Sequence, residues 1–420
     1  MAEALDRHPP RYALKHVHII GGGLAGLSAA VTLTQAGRRV TLYEAGPAAG
    51  GRCRSYFDRA VDARIDNGNH LVLSGNDCAM EFLETIGARH TMTGPERSRF
   101  AFMDLASGER WNVEPSAGRI PWWILTRRIP GTRIGEYLSL LRLKKAQPGE
   151  TVAECLSGGE LYRKLLEPLA VSGLNTPADS ALASLLWAVV EGSLMRGGAA
   201  CIPLVPREGL SESFIDPALA WLEQGGASLH CSTRIARLTI EVDRITSLHT
   251  PSLPLAVGMD EAVICAVPPW VAADLVPGLP APTTFESIVN VHFRLDAPAG
   301  VTGLIGGLAE WVFAKPGIVS VTISAANRLA DIPAEEIIAM AWRDVQKVLG
   351  IAQPMPPVRL LREKRATFAA TAENEALRPN SRTNIANLAV AGDWTATGLP
   401  ATIEGAIKSG RTAAMALLAA

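Results

Sequence analysis

The sequence predicts an α/β fold: a doubly wound, Rossmann-like domain that is discontinuous in sequence, joined to a mixed-sheet domain and a helical subdomain. Three observations carry this. Residues 16–20 form a short buried-strand run that passes through a glycine turn into a small-residue helix at 24–36 and a second strand at 39–43, a strand-helix-strand unit. Two later apolar runs, 261–267 and 387–392, end in turn signals as central strands of the same parallel sheet would. Residues 287–295 alternate instead, with Val289, Val291, Phe293 and Leu295 on one face and Asn290, His292 and Arg294 on the other, the pattern of an antiparallel strand.

Stretches 311–314, 318–324 and 358–368 are expected to pair with that strand. Residues 120–225 read as mainly helical, including 181–190 and a stretch at 211–224 that Pro217 should start or bend. The expected domains are 16–75 with 226–270 and 385–420; 76–118 with 271–384; and 119–225. In 420 residues of net charge −1, no global field exists to recruit nucleic acid. Six scattered cysteines without a Cys-x-x-Cys argue against a zinc knuckle, a disulfide scaffold or a dithiol redox pair and fit a reducing cytoplasm, and no metal site is expected. Neither a signal-peptide core nor an uninterrupted apolar span long enough for a membrane is present, so any membrane contact is expected to be peripheral.

The chemistry concentrates at the two ends of the chain. In Gly21-Gly22-Gly23-Leu24-Ala25-Gly26 the first, third and sixth positions fit Gly-x-Gly-x-x-Gly, which lets backbone approach a pyrophosphate at a positive helix end. Glu44, at the end of the second strand, is the acidic group that accepts ribose hydroxyls, with Ala45 beside it. Gly50-Gly51-Arg52 then adds amides and a guanidinium for phosphate. Near the other end stand Gly392-Asp393 and Leu399-Pro400-Ala401-Thr402 before a small-residue helix.

The Gly-Gly-Arg extension and the terminal segment resemble the flavin-containing amine oxidase and carotenoid desaturase superfamily. Four stretches resemble the hydroxysqualene dehydroxylase family more narrowly: Asp66-Asn67-Gly68-Asn69-His70-Leu71-Val72-Leu73, Leu169 through Thr176, Arg362 through Phe368, and Gly392 through Ala406. Asn69 departs from the glutamine expected there. The resemblance implies FAD as cofactor, held by Gly21, Gly23, Leu24, Ala25, Gly26, Glu44, Ala45, Gly51, Arg52, Asn67, Gly68, Ile235, Gly392, Asp393, Leu399, Pro400, Ala401 and Thr402. It implies a long-chain isoprenoid substrate, hydroxysqualene, reduced to squalene with release of water, and a long apolar channel to hold it.

Loss of that hydroxyl demands a proton donor in a closed site. His70 is the candidate, and its alternative is a structural histidine bracing the turn; Asp66 and Asn67 read more simply as turn chemistry. His292 and Arg294 read as solvated. Arg119 through Ile129, with Trp122 and Trp123 between cations, suits lipid headgroups and would place the channel mouth at the cytoplasmic face of a membrane. Three readings stay open beside the dehydroxylase: a desaturase of a carotenoid or other polyisoprenoid, an amine oxidase, and a non-catalytic isoprenoid carrier. No separate nicotinamide site is legible, which leaves the electron donor open.

Overall fold

A computed structural model describes residues 14–116, 128–156 and 158–419. Its nucleotide-binding half is a five-stranded sheet in the order Ser228–His230, Arg39–Tyr43, His16–Ile20, Glu261–Cys265 and Leu388–Val390, parallel throughout. Strands buried on both faces must be apolar on both, which is why these runs lack clean alternation. Helices Leu24–Gln35 and Ile403–Leu418 cover one face. An antiparallel sheet of Arg237–Glu241, Arg244–His249 and Pro254–Ala256 covers the other. Strand order reverses between His16–Ile20 and Glu261–Cys265, and a crevice at such a switch point is where open parallel sheets take their ligands.

The first and last helices touch through small residues. A Cβ on Gly410 would collide with the carbonyl of Ala25, and the buried Ser28 hydroxyl donates to the Ile407 carbonyl at 2.8 Å. Chain segments almost the whole sequence apart are thereby locked side by side.

The second half is a seven-stranded mixed sheet in the order Val358–Phe368, Phe285–Arg294, Ile318–Ile323, Trp311–Lys315, Gly300–Ile305, Phe100–Asp104 and Arg110–Val113. All neighbours are antiparallel except Gly300–Ile305 with Phe100–Asp104. Val289, Val291 and Phe293 pack under helix Ala334–Leu349. The opposite face carries Asn290, His292, Ser320 and Thr322 and is also buried, at 2%, 1%, 3% and 9% exposure. The expectation of a solvated His292 is therefore wrong. Alternation showed which residues share a face but not that the hairpin Ser55–Asp58 and Ala63–Asp66 would lie across it.

Helix Asp77–Thr85 packs beneath the last helix, and 210–224 packs on helix Leu24–Gln35, so both extend the nucleotide-binding core. Pro217 sits in the first turn of helix Asp216–Gln224, preceded by the wide turn Ser211–Ile215. The helical subdomain is built around Val152–Leu156, Glu167–Leu174 and Ala183–Gly192. Asn175, in the left-handed conformation at a helix end, docks it on the mixed sheet: its carbonyl accepts from Ala325 N at 2.7 Å and its amide donates to Thr367 Oγ1 at 2.9 Å.

Candidate active site

At the switch point the glycine turn is shaped by contact as well as by conformation. Gly21 has φ +109°, and a Cβ there would sit 2.5 Å from the Ala266 carbonyl; a Cβ on Gly26 would strike the carbonyl of Gly21. Above Gly23 the space is open. Helix Leu24–Gln35, which begins at Gly23, has no side-chain cap and no acidic residue in its first turn, so the amides of Leu24 and Ala25 and the positive helix end stay available to an anion. Glu44 leans over the turn, accepting from Gly22 N at 2.8 Å and Gly46 N at 2.6 Å. Gly50 N donates to Gly22 O at 2.8 Å, which brings Gly51 and Arg52 beside the first glycines and leaves Ala45 between Glu44 and Gly46. Ile235, buried, precedes strand Arg237–Glu241 in a connection outside the strand; Thr233 N donates to Glu44 O at 2.8 Å, so this connection runs beside Glu44.

The two chain ends meet through charge. Arg52 Nη2 lies 2.9 and 2.8 Å from the two carboxylate oxygens of Asp393, and Nη1 donates to the Ala366 carbonyl of the mixed sheet. Gly392 N donates to Ser409 Oγ of the last helix at 2.8 Å, and a Cβ on Gly392 would run into the Trp394 indole. Trp394 itself is core, 1% exposed, its indole N–H donating to the Val267 carbonyl at 3.0 Å. Thr402 caps the last helix by accepting from Gly405 N at 3.0 Å. Glu404, in the first turn of the last helix, serves a second helix as well. Its carboxylate accepts from Cys78 N and Ala79 N at 3.0 and 2.8 Å and so caps helix Asp77–Thr85.

Sequence reasoning missed Arg378. Its side chain is fully buried, and it donates to the carbonyls of Thr395 and Leu399, at 2.5 and 2.8 Å from Nη2, and to Thr397 Oγ1 at 3.0 Å. Glu375 neutralises it at 2.7 Å, and the Phe368 ring lies beneath it. The whole turn from Asp393 to Leu399, which carries into Pro400 and Ala401, is wound around this one guanidinium. An arginine fifteen residues upstream of the motif it holds leaves no spacing signal.

Residues 66–70 bridge the two halves. Asn67 N donates to Arg54 O at 2.9 Å on the nucleotide side. On the other side a Cβ on Gly68 would come within 3.2 Å of the Asn290 amide, and Asn69 Nδ2 donates to Thr322 Oγ1 at 3.0 Å. Asp66 is buried, which acts to raise its pKa, but the Lys315 ammonium at 2.7 Å and donors from Leu210 N and Ser55 hold it below the usual carboxylate value. His70 is partly exposed, and among the described residues no hydrogen bond holds it. Burial pushes its pKa down to about 4, Arg52 and Lys315 adding to this against Asp66. The imidazole is neutral at neutral pH, an N–H donor more than an acid. His292 is likewise lowered to about 4 by burial, with Nδ1 on Ser320 Oγ at 2.7 Å and Nε2 without a partner. Residues 119–127 of the expected lipid-facing patch, with both tryptophans, lie outside the described residues apart from Arg128 and Ile129 beside them.

Open amides at an uncapped helix end, a carboxylate beside them and a glycine-lined gap fit a dinucleotide at this crevice. A family model described as flavin containing amine oxidoreductase matches residues 24–418. Hydroxysqualene dehydroxylase of Sinorhizobium fredii is 48% identical over 406 residues, covering 95% of this chain and 97% of its own. The protein of the same name from Rhodopseudomonas palustris is 45% identical and covers 97% and 99%. The chain belongs to the hydroxysqualene dehydroxylase family. It is a flavin oxidoreductase whose cofactor is FAD. Among solved structures an oxidoreductase from Methanosarcina mazei superposes with TM-score 0.72 at 16% identity over 96% of this chain and 100% of its own. A putrescine oxidase gives 0.69 at 17% over 97% and 99%. Both share the amine oxidase fold.

Two outcomes are expected in this dehydroxylase-family chain. Arg378→Met leaves the carbonyls of Thr395 and Leu399 without their donor and the partly exposed Glu375 without its partner, a loss of about 1–3 kcal/mol for each carbonyl left unsatisfied; the unfolding temperature and the flavin-to-protein ratio of the purified variant should both fall. His292 has a folded pKa below its unfolded value of about 6.5, so the unfolded chain takes up the proton first. Its contribution is complete above pH 6.5 and is lost as pH falls toward 4. His292→Gln should move the acid-unfolding midpoint to lower pH, and an unchanged midpoint removes this histidine from the acid limb.

Proposed function

We propose that this chain reduces hydroxysqualene to squalene with FAD as hydride carrier. The observation that carries the reading is the relatives of that name at 43–48% identity over 94–97% of the chain, together with the crevice built from both chain ends. Bound and reduced, the flavin supplies a hydride to the allylic carbon that loses its hydroxyl. The protein's residues do the rest. Open amides at Gly23–Ala25 and the Arg52 guanidinium take the phosphates, Glu44 the ribose, and the amides opening the last helix the ring edge. Gly68 and Asn67 bring residues 66–70 to the ring side, and the neutral His70 would hold the leaving oxygen through an N–H hydrogen bond, the proton that completes water coming with the hydride from fully reduced FADH2.

Photoreduced enzyme mixed with hydroxysqualene without oxygen should yield one squalene per flavin oxidised. His70→Asn should slow this by about 10²-fold while flavin content holds. Absence of squalene overturns the assignment, and a polyene formed from squalene by oxidised enzyme favours the desaturase reading.

The same reading includes peripheral membrane contact. No helix among the described residues is long and apolar enough to cross a membrane. Just beyond residues 119–127, Ile134, Leu138 and Leu141 are 48%, 55% and 47% exposed. Arg128, Arg133, Arg142, Lys144 and Lys145 are exposed around them, while Glu136 is occupied by the amides of Arg133 and Leu161 at 2.9 and 2.8 Å. Apolar side chains within a ring of cations suit an anionic lipid surface. In liposome sedimentation, Leu138→Asp with Leu141→Asp should abolish binding to anionic vesicles and leave flavin content unchanged; undiminished binding removes this face from the account.

A further inference from the structure

We propose that His16, His18 and Glu261 form a site for one divalent transition-metal ion such as zinc, at the amino ends of the parallel strands, opposite the cofactor crevice. His-x-His on a strand places both imidazoles on one face, and parallel register sets Glu261 beside His16. His16 Nδ1 stands 3.0 Å from Glu261 Oε1, and His18 Nε2 stands 3.2 Å from Oε2. One ligand atom from each residue can be chosen so that all three lie within 4.8 Å of one another. Ligands bound tetrahedrally at about 2.0–2.1 Å are about 3.3 Å apart, close to the two His–Glu261 spacings.

The nitrogens turned away from the centre are spoken for. His16 Nε2 lies 2.9 Å from Thr41 Oγ1 and His18 Nδ1 lies 3.1 Å from the Tyr43 hydroxyl. With the ring protons on those nitrogens, lone pairs remain on the two that face Glu261, the arrangement that outer-shell oxygens impose on metal-binding histidines. Gly258 N, donating to Glu261 Oε2 at 2.9 Å, fixes the carboxylate. A cation is already drawn to the spot. Arg39 Nη2 lies 3.1 Å from His16 Nδ1 and 3.3 Å from Glu261 Oε1, on a side chain 66% exposed that can swing into solvent. The nearby Lys15 is neutralised by Asp260 at 3.0 Å.

The cluster sits one strand length, about 15 Å, from the glycine turn, so the ion is structural, tying strands His16–Ile20 and Glu261–Cys265 together. Rings stack from His18 to Tyr43 and on to His230, whose carbonyl holds the amide of Glu44.

Tag-free holoenzyme stripped with a chelator and titrated with zinc chloride in equilibrium dialysis should bind one equivalent at constant flavin content. Glu261→Gln should weaken binding by at least about 10-fold, and Tyr43→Phe by about 10-fold. Arg39→Gln, an exposed change, should bind at least as tightly as the native chain. A native protein that binds no zinc overturns the site. Equal binding by a folded His16→Asn, His18→Asn double variant, or weaker binding by Arg39→Gln, overturns it as well.

Discussion

The contact between the first and last helices governs the cofactor end of the molecule. A carbonyl at Ala25 rests against the bare Cα of Gly410, and Ser28 bonds the Ile407 carbonyl. That single bond contributes about 1 kcal/mol. Its larger effect is geometric, because two rigid helices in backbone contact transmit any displacement. One helix opens at the glycine turn and the other at Thr402, so their fixed spacing sets the distance between the two sets of helix-opening amides.

Charge then orients what packing has brought near. Exposed ion pairs are worth about 0–1 kcal/mol, and Arg52, partly exposed, holds Asp393 more as a latch than as a source of stability. Arg378 acts differently. Fully buried, it must be satisfied on every side, and only one path of residues 393–399 puts that many oxygens around it. A buried cation of this kind selects one loop conformation by making the others expensive.

The parts of this design legible in the sequence were those with local grammar. Strand, glycine turn, helix and a following acid are read from fixed spacings, and the terminal motif from its resemblance to the superfamily's. Arg378, the second cap made by Glu404 and the burial of His292 depend on segments tens to hundreds of residues away. Period-two alternation in 287–295 grouped Asn290, His292 and Arg294 correctly, yet polar residues on a strand face are assigned to solvent unless something is known to cover them. Nothing in the covering hairpin, Ser55 to Asp66, announces its destination.

That covered polar face decides how the two halves are set against each other. Burying Asn290, Thr322 and Ser320 without partners would cost several kcal/mol, and an apolar face would have sufficed for cohesion alone. Apolar contact is non-directional and allows one layer to slide over another by an ångström at little cost. Hydrogen bonds from Asn69 to Asn290 and Thr322, and the Lys315 to Asp66 ion pair, fix the register. Residues 66–70 also bond back to the Arg52–Arg54 segment, so the polar wall is indexed to the cofactor loop itself. A hydride transfer loses rate steeply with small misplacement, and a junction of directional bonds is what holds the mixed-sheet half against the nucleotide-binding half to that tolerance.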